Sequence, residues 1–99
     1  MKLKLNIVSV YDSDKINEVF KDAKQVMSKS AFEVSKTNIG DESLLYKQEI
    51  TWEGVNYTIY ALIFRKLNVY EEIQMGGLTG GMDKNEIIEI GGLIEKKIE

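Results

Sequence analysis

The side chains available for chemistry in this sequence are carboxylates, hydroxyls, amides and amines, because its 99 residues include no histidine and no cysteine. Without cysteine the chain has no thiol nucleophile, no thiolate metal ligand and no disulfide. Without histidine it lacks the usual acid and base near neutral pH and the commonest metal ligand. Most hydrolase and metalloenzyme mechanisms are therefore excluded, and we expect a protein that is not an enzyme and holds no metal or cofactor.

Two groups of carboxylates remain as candidates for catalysis. Strand alternation predicts that Glu71 faces the core opposite Ile63, with Arg65 as its diagonal partner. An inward-pointing charge is a common way to protect a sheet edge, and we favour this explanation over a catalytic carboxylate. Asp41 and Glu42 lie in a loop before a strand, where acidic residues usually serve solvation. We therefore predict no catalytic residue.

A glycine-rich segment at residues 75–82 precedes the last predicted helix. Free backbone N–H groups at a helix start can bind an anion, but this segment lacks the lysine of a phosphate loop and the spacing of a dinucleotide fingerprint. A flexible connector is the favoured interpretation. The alternative is a small-molecule or anion site that combines the glycines with two aromatic residues at the same end of the sheet. Its residues would be Trp52, Tyr57, Gly76, Gly77, Gly80 and Gly81.

Hydrophobic periodicity predicts the elements that must position these residues. Alternation favours strands at residues 2–11 and 31–36, and apolar spacings of three and four favour a helix over about 13–29. The last helix begins after a capping box at Asp83 and has Gly91 at the centre of its apolar stripe. That glycine indicates either a close approach of the helix backbone to its neighbour or a bend in the helix.

A hairpin around residues 53–54, Glu-Gly, is the strongest local signal. A two-residue turn places Trp52 opposite Val55 and determines the register of the whole ladder, one face of which is predicted to be core nearly throughout. A three-residue loop over residues 66–68, with Asn68 in the left-handed conformation, then leads into a strand whose Ile73 lies beside Ala61.

The complete pattern has the order β-α-β-β-β-β-α. It predicts one α+β domain over residues 1–99, with two helices and a twisted, mainly antiparallel sheet of about five strands. The second face of the hairpin becomes apolar at its far end, and a contiguous apolar patch needs a cover. If the two helices share one face, this patch is a partner-binding interface; if they lie on opposite faces, it is core. Its residues are Leu45, Tyr60, Leu62, Phe64 and Tyr70.

Charge and hydropathy narrow the possible partners. The formal net charge is -3 and the sequence pI is about 5.0, with basic and acidic residues interleaved, which argues against nucleic acid. No apolar run is long enough to span a membrane. The first residues lack the apolar core of a signal peptide, so an exported form would carry its leader outside this sequence.

Two motifs carry a resemblance to a known family. IGDES at residues 39–43 and, after a tryptophan-containing hairpin, IFRKLNVY at residues 63–70 precede an amphipathic C-terminal helix. This arrangement resembles PsbP-like domains and small prokaryotic lipoprotein domains, over about the last 60 residues of the chain. Leu67 stands where that turn carries glycine, and Glu71 where an apolar residue is usual. The resemblance implies an extracytoplasmic, non-enzymatic binding or assembly module with helices on both sides of an antiparallel sheet.

These observations lead to two functional hypotheses. The first is a non-catalytic interaction module, extracytoplasmic or at the cell surface rather than cytoplasmic, that binds a protein partner or its own copy through the apolar patch. A homodimer of this kind should respond to salt, because Glu71 and Glu72 would lie near the contact. The alternative is the small-molecule or anion receptor at the glycine-rich segment. An enzyme ranks third, because Glu71 or Asp41 would have to act alone.

Overall fold

The computed structural model describes residues 3–30 and 32–98, and it confirms an α+β chain with two helices packed on an antiparallel sheet. A short 3-10 turn precedes the second helix. Neither helix in this part of the chain has the length and hydropathy needed to cross a membrane. The elements are β1 (Leu3–Val10), α1 (Ile16–Ser30), β2 (Phe32–Lys36), β3 (Glu42–Trp52), β4 (Val55–Lys66), β5 (Val69–Leu78), the 3-10 turn (Thr79–Gly81) and α2 (Lys84–Glu95).

The sheet has five strands in the order β1-β5-β4-β3-β2, and all neighbours are antiparallel. The hairpin of β3 and β4 has the predicted register, with Trp52 opposite Val55. Glu53 and Gly54 form the turn with φ of 49° and 78°. Two positive φ values give the backbone twist that suits a two-residue hairpin, so this prediction is confirmed.

The connection between β4 and β5 differs from the prediction. Lys66 pairs with Val69, so the turn has two residues rather than three, and the positive φ of 57° belongs to Leu67 rather than Asn68. Tertiary contacts hold this turn: the Leu67 N–H donates to Asp41 at 2.8 Å, and the Asn68 side-chain amide donates to the Tyr11 carbonyl at 2.8 Å.

The shorter turn moves β5 by one position and reverses both of its faces. Ile73 lies opposite Leu62 instead of Ala61, and Glu71 lies opposite Phe64 instead of Ile63. A one-residue slip exchanges the buried and exposed sides of a strand, because successive side chains point to opposite faces. The predicted register of β5 is therefore wrong.

The two helices lie on opposite faces of the sheet, so the protein has three layers. Ile16 and Phe20 of α1 pack on one face, and Ile87 of α2 packs on the other. The predicted partner-binding patch is consequently core, and the expectation that it is exposed is wrong. The cluster beneath α2 contains four of its residues, namely Leu45, Tyr60, Leu62 and Phe64. The fifth, Tyr70, is buried in the cluster beneath α1, because the shifted register turns its side chain to that face.

Gly91 is the point at which α2 approaches the sheet most closely. A Cβ built on Gly91 would collide with Leu62 Cδ2 and lie 3.0 Å from Ile39 Cδ1. The adjacent Gly92 has open space around the corresponding position. The predicted close approach of the helix backbone is therefore confirmed.

The glycine-rich segment is not a flexible connector. Residues 75–78 continue β5, where Gly76 pairs with both Leu3 and Ile59, and the 3-10 turn follows directly. Asp83 then caps α2, because its Oδ1 accepts a hydrogen bond from the Asn85 N–H at 3.0 Å. Backbone pairing on both sides of Gly76 leaves few N–H groups free for an anion.

Candidate interaction surface

An apolar surface remains open at the turn end of the β3–β4 hairpin, on the side of the sheet that α1 covers. A 15-residue helix is about 22 Å long, whereas the 11 and 12 residues of β3 and β4 reach close to 40 Å. The core beneath α1 includes Tyr46 and Ala61 but not the rows nearer the turn. We call these outer residues the hairpin surface. They are Ile50, Trp52, Val55, Tyr57, Ile59 and Leu78.

Strand pairing makes the hairpin surface contiguous. Trp52 lies opposite Val55 in the outermost row, and Tyr57 lies between Ile50 and Leu78 in the next row. Trp52 is 65% exposed and Leu78 50% exposed, while Ile50 and Val55 are each 39% exposed. Single exposed apolar side chains are ordinary, but a contiguous set around a tryptophan is typical of a contact site.

The opposite face of the same hairpin end is polar. Thr51 Oγ1 donates to Asn56 Oδ1 at 2.9 Å, and the Lys47 ammonium lies 3.1 Å from the Glu49 carboxylate. The hydrogen bond with Glu49 is the main cause that raises the pKa of Lys47. At this end of the hairpin, one face of the strand pair is therefore apolar and the other is polar. Such alternation is expected when one side of a strand pair contacts protein and the other contacts water.

The predicted ligand site is only partly assembled. Trp52 and Tyr57 lie on the hairpin surface, and Gly76 lies in a neighbouring row of that face beside Ile59. Gly77 pairs with Thr58 and belongs to the other face. Gly80 and Gly81 are exposed in the 3-10 turn, with open space where a Cβ would be.

The cavities described at this end of the sheet are small. One of about 190 Å³ is lined by Ile59 and Gly76 among others, and a second of about 190 Å³ by Ile50 and Thr79 among others. Sites for drug-sized ligands usually enclose about 300–1,000 Å³ and bury most of the ligand. The shape of this region therefore suits a broad protein contact better than an enclosed small molecule.

The acidic pair before β3 belongs to an ion-pair cluster. Arg65 lies 3.7 Å from Asp41 and 3.3 Å from Glu42, and Lys24 of α1 lies 3.4 Å from Glu42. Glu42 is directly opposite Arg65 in the ladder. Arg65 is therefore the partner of these two carboxylates. The sequence-based prediction that it pairs with Glu71 is wrong. The cluster fastens α1 and the loop before β3 to the end of β4.

Glu71 is fully buried in the interior strand β5, between Val8 of β1 and Phe64 of β4. Within the described part of the chain, neither carboxyl oxygen has a hydrogen-bond partner of ordinary geometry. Burial raises the pKa of Glu71 to about 7, and the Asn6 side chain offsets part of that increase. Because β5 is not an edge strand, the edge-protection explanation is wrong. A carboxyl group closed off from solvent also cannot reach a substrate.

Sequence reasoning missed most of the hairpin surface because it treated this face as core. The hairpin register already placed Ile50 opposite Tyr57, and Leu78 was assigned to the glycine-rich connector. The missing information was how far α1 extends along the sheet. A comparison of the predicted helix length with the strand lengths would have revealed the uncovered rows.

Comparisons with known proteins return no relative. No protein-family model matches the chain, no curated protein matches it, and no solved structure matches it. The resemblance to PsbP-like and small lipoprotein domains stays a prediction.

Proposed function

We propose that this protein is a non-catalytic interaction module that binds a protein partner through the hairpin surface. The observation that carries the proposal is Trp52, which is 65% exposed in the outermost row of an apolar surface that spans three strands. Tryptophan is among the residues that most often dominate the energy of protein interfaces. The surface also suits a partner of low charge, because its rows contain no charged side chain, and Gln48, opposite Ile59, is the polar member of the innermost row.

The backbone beneath the hairpin surface is already ordered. β4 is paired with β3 along all of these rows, and with β5 from Tyr57 inwards. A rigid surface loses little conformational entropy on binding, so more of the contact energy appears as affinity. This preorganisation favours recognition of a folded or extended protein segment without rearrangement of the module.

The receptor alternative has weaker support. Its glycines are divided between the two faces of β5 and the exposed 3-10 turn, and its aromatic residues lie on an open sheet rather than in an enclosed cavity. A small ligand there would keep much of its own surface in water. The extracytoplasmic location is a further part of our proposal and rests on the family resemblance alone; fractionation of the producing cells tests it.

Site-specific photocross-linking tests the proposed function. A photoreactive residue replaces Val55 in the hairpin surface, and the matched control replaces Leu93, which is 56% exposed on α2. We expect a specific cross-linked protein from position 55 and not from position 93. With that protein purified, Trp52→Ala should raise the dissociation constant of the complex by about tenfold or more, whereas Leu93→Ala should leave it unchanged.

Two outcomes would contradict the proposal. One is the same cross-linked products from both positions, or none from position 55. The other is an affinity for the purified partner that Trp52→Ala does not change. Trp52 is the only tryptophan in the chain, so its fluorescence also reports directly whether the partner covers it.

A further inference from the structure

The free edge of β1 is the second unpartnered feature of the fold. β1 and β2 are the two edge strands of the sheet. β1 pairs with β5 in a continuous register over eight residues. Apolar side chains on both of its faces are open to solvent: Leu5 is 51% exposed, Ile7 40%, Val8 56% and Val10 69%. A long, regular and apolar edge is a ready template for another strand.

The other edge carries the devices that usually prevent such pairing. β2 has only five residues, and its register against β3 shifts between Glu33 and Ser35. Short length and a bulge are common means of blocking an edge. The same fold therefore protects one edge and leaves the other available.

The backbone orientation of β1 shows which residues offer hydrogen bonds at the free edge. The Tyr11 N–H donates to the Asn68 carbonyl at 2.9 Å, in continuation of the β1–β5 register. In an antiparallel ladder every second residue points its N–H and C=O to the same neighbour. The odd-numbered residues thus face β5, and Lys4, Asn6 and Val8 direct their N–H and C=O groups away from the sheet.

We propose that this edge binds a second copy of the chain, with β1 of each copy antiparallel about a two-fold axis at Asn6. Asn6 then lies opposite Asn6 of the second copy, and Lys4 lies opposite Val8. Leu5 of each copy lies opposite Ile7 of the other, which gives two equivalent pairs. These are non-hydrogen-bonded pairs, in which the facing side chains approach most closely. The dimer joins two five-stranded sheets into one.

The charge of β1 is compatible with a second copy as the occupant. Lys4 is the one charged residue among the eight of β1, and it lies 4.0 Å from Glu86 of its own chain. In the two-fold register Lys4 meets Val8 and never another lysine, so the edge does not repel itself. The principal contacts of α1 are with β2, β4 and β5, and those of α2 with β4 and β5, so both helical layers are centred away from this edge.

The hairpin surface adjoins this edge at its innermost row, where Ile59 and Leu5 line one cavity, whereas Trp52 lies in the outermost row of that surface.

Sedimentation of the full chain over a range of concentrations tests the dimer with a pair of proline variants. Val8→Pro removes an outward N–H that bonds to Lys4 of the second copy, without removing a bond to β5. Val10→Pro is the comparison variant, because Val10 lies at the end of β1 and its position in this register is opposite residue 2, outside the bounds of β1. We expect a wild-type dimer, a dissociation constant that is about tenfold or more higher for Val8→Pro, and a smaller increase for Val10→Pro. Urea unfolding confirms that both variants fold.

Single cysteines test the register, since the natural chain contains none. Residues at the axis form a hydrogen-bonded pair with Cα atoms about 5.5 Å apart, which allows a disulfide. Asn6→Cys should therefore cross-link rapidly under mild oxidation. Val8→Cys should not, because the two copies of residue 8 lie about 14 Å apart along the strands.

A wild-type monomer at every concentration overturns the proposal, and so does a dimer that Val8→Pro leaves intact or that cross-links through position 8 rather than 6. In the monomer case a strand of another protein would be the occupant of the edge. Trp52→Ala should not alter the dimer, so failure of this proposal and failure of the proposed function are separately visible.

Discussion

Glu71 is the residue whose chemistry depends most on its surroundings. It is the only fully buried carboxyl among the described residues, and it lies in an interior strand opposite Phe64. An ionised carboxylate in such a place loses its hydration without a compensating cation. The group therefore holds its proton more tightly in the folded protein than in the unfolded chain. This difference makes Glu71 a source of pH dependence in stability.

We predict that stability falls as pH rises and that Glu71→Gln removes this fall. Burial raises the pKa of Glu71 from an ordinary value of 4.5 to about 7. The folded state binds the extra proton between these values, so the free energy of unfolding is highest below pH 4.5, decreases up to pH 7 and then levels. At 1.36 kcal/mol per pKa unit the total is roughly 3 kcal/mol.

Urea unfolding of both proteins between these pH values measures the effect. The exposed Glu89→Gln serves as the control and should retain the wild-type dependence. The same pH dependence in wild type and Glu71→Gln would show that Glu71 is not the source.

α2 is the element whose position depends on a single small residue. Gly91 faces Leu62 and Ile39, while its neighbour Gly92 faces open space. A glycine inside a helix costs about 1 kcal/mol relative to alanine, so this pair is unfavourable for the isolated helix. At Gly91 the close approach of α2 to the sheet explains why glycine is present despite its low helix propensity. Gly92 has no neighbouring atom that would require a glycine.

The two glycines should therefore respond in opposite directions to the same substitution. Gly92→Ala should stabilise the protein by up to about 1 kcal/mol, through helix propensity alone. Gly91→Ala should destabilise it by about 1–3 kcal/mol, because the new methyl group overpacks a buried contact. Free energies from urea unfolding decide the matter. Equal stabilisation by both substitutions would mean that α2 is bent at this point rather than closely packed.

The whole molecule has three layers, and its two helices cover the two faces of the sheet to different extents. α2 closes its side of the sheet over Phe64 and Leu62, which are fully buried, whereas α1 leaves the outer rows of its own side open at Trp52. The exposed apolar residues are concentrated on the hairpin surface and on β1, with Val26, Leu67 and Leu93 exposed elsewhere. This distribution separates the residues that hold the fold together from those free to meet a partner.

An aromatic-to-aspartate pair tests this division. Phe64→Asp should abolish cooperative unfolding, because it buries a carboxyl group without a partner in place of an aromatic ring of the core. The lost free energy should be comparable with the whole stability of a typical domain, about 5–15 kcal/mol. Trp52→Asp should retain a cooperative transition, because its side chain is already in contact with water. Circular dichroism with thermal unfolding checks both variants. A folded Phe64→Asp protein would show that α2 does not cover this part of the sheet.

Local chemistry in the sequence determined the α+β class, the sequential order of strands and helices, and the β3–β4 register. These features depend on neighbours along the chain: alternation, helical spacing, and the Glu53–Gly54 turn that adopts two positive φ values. The exclusion of thiol and imidazole chemistry follows from composition alone.

Only the tertiary structure decided the register of β5, the opposite placement of the helices and the extent of the cover provided by α1. The turn at Leu67 is held by Asp41, and Asn68 by Tyr11, which are distant in sequence and close only after folding. That one-residue difference placed Glu71 beneath α2 instead of beside Arg65. Whether an apolar side chain such as Phe64 or Trp52 is core or surface depends on what packs above it, and local periodicity does not contain that information.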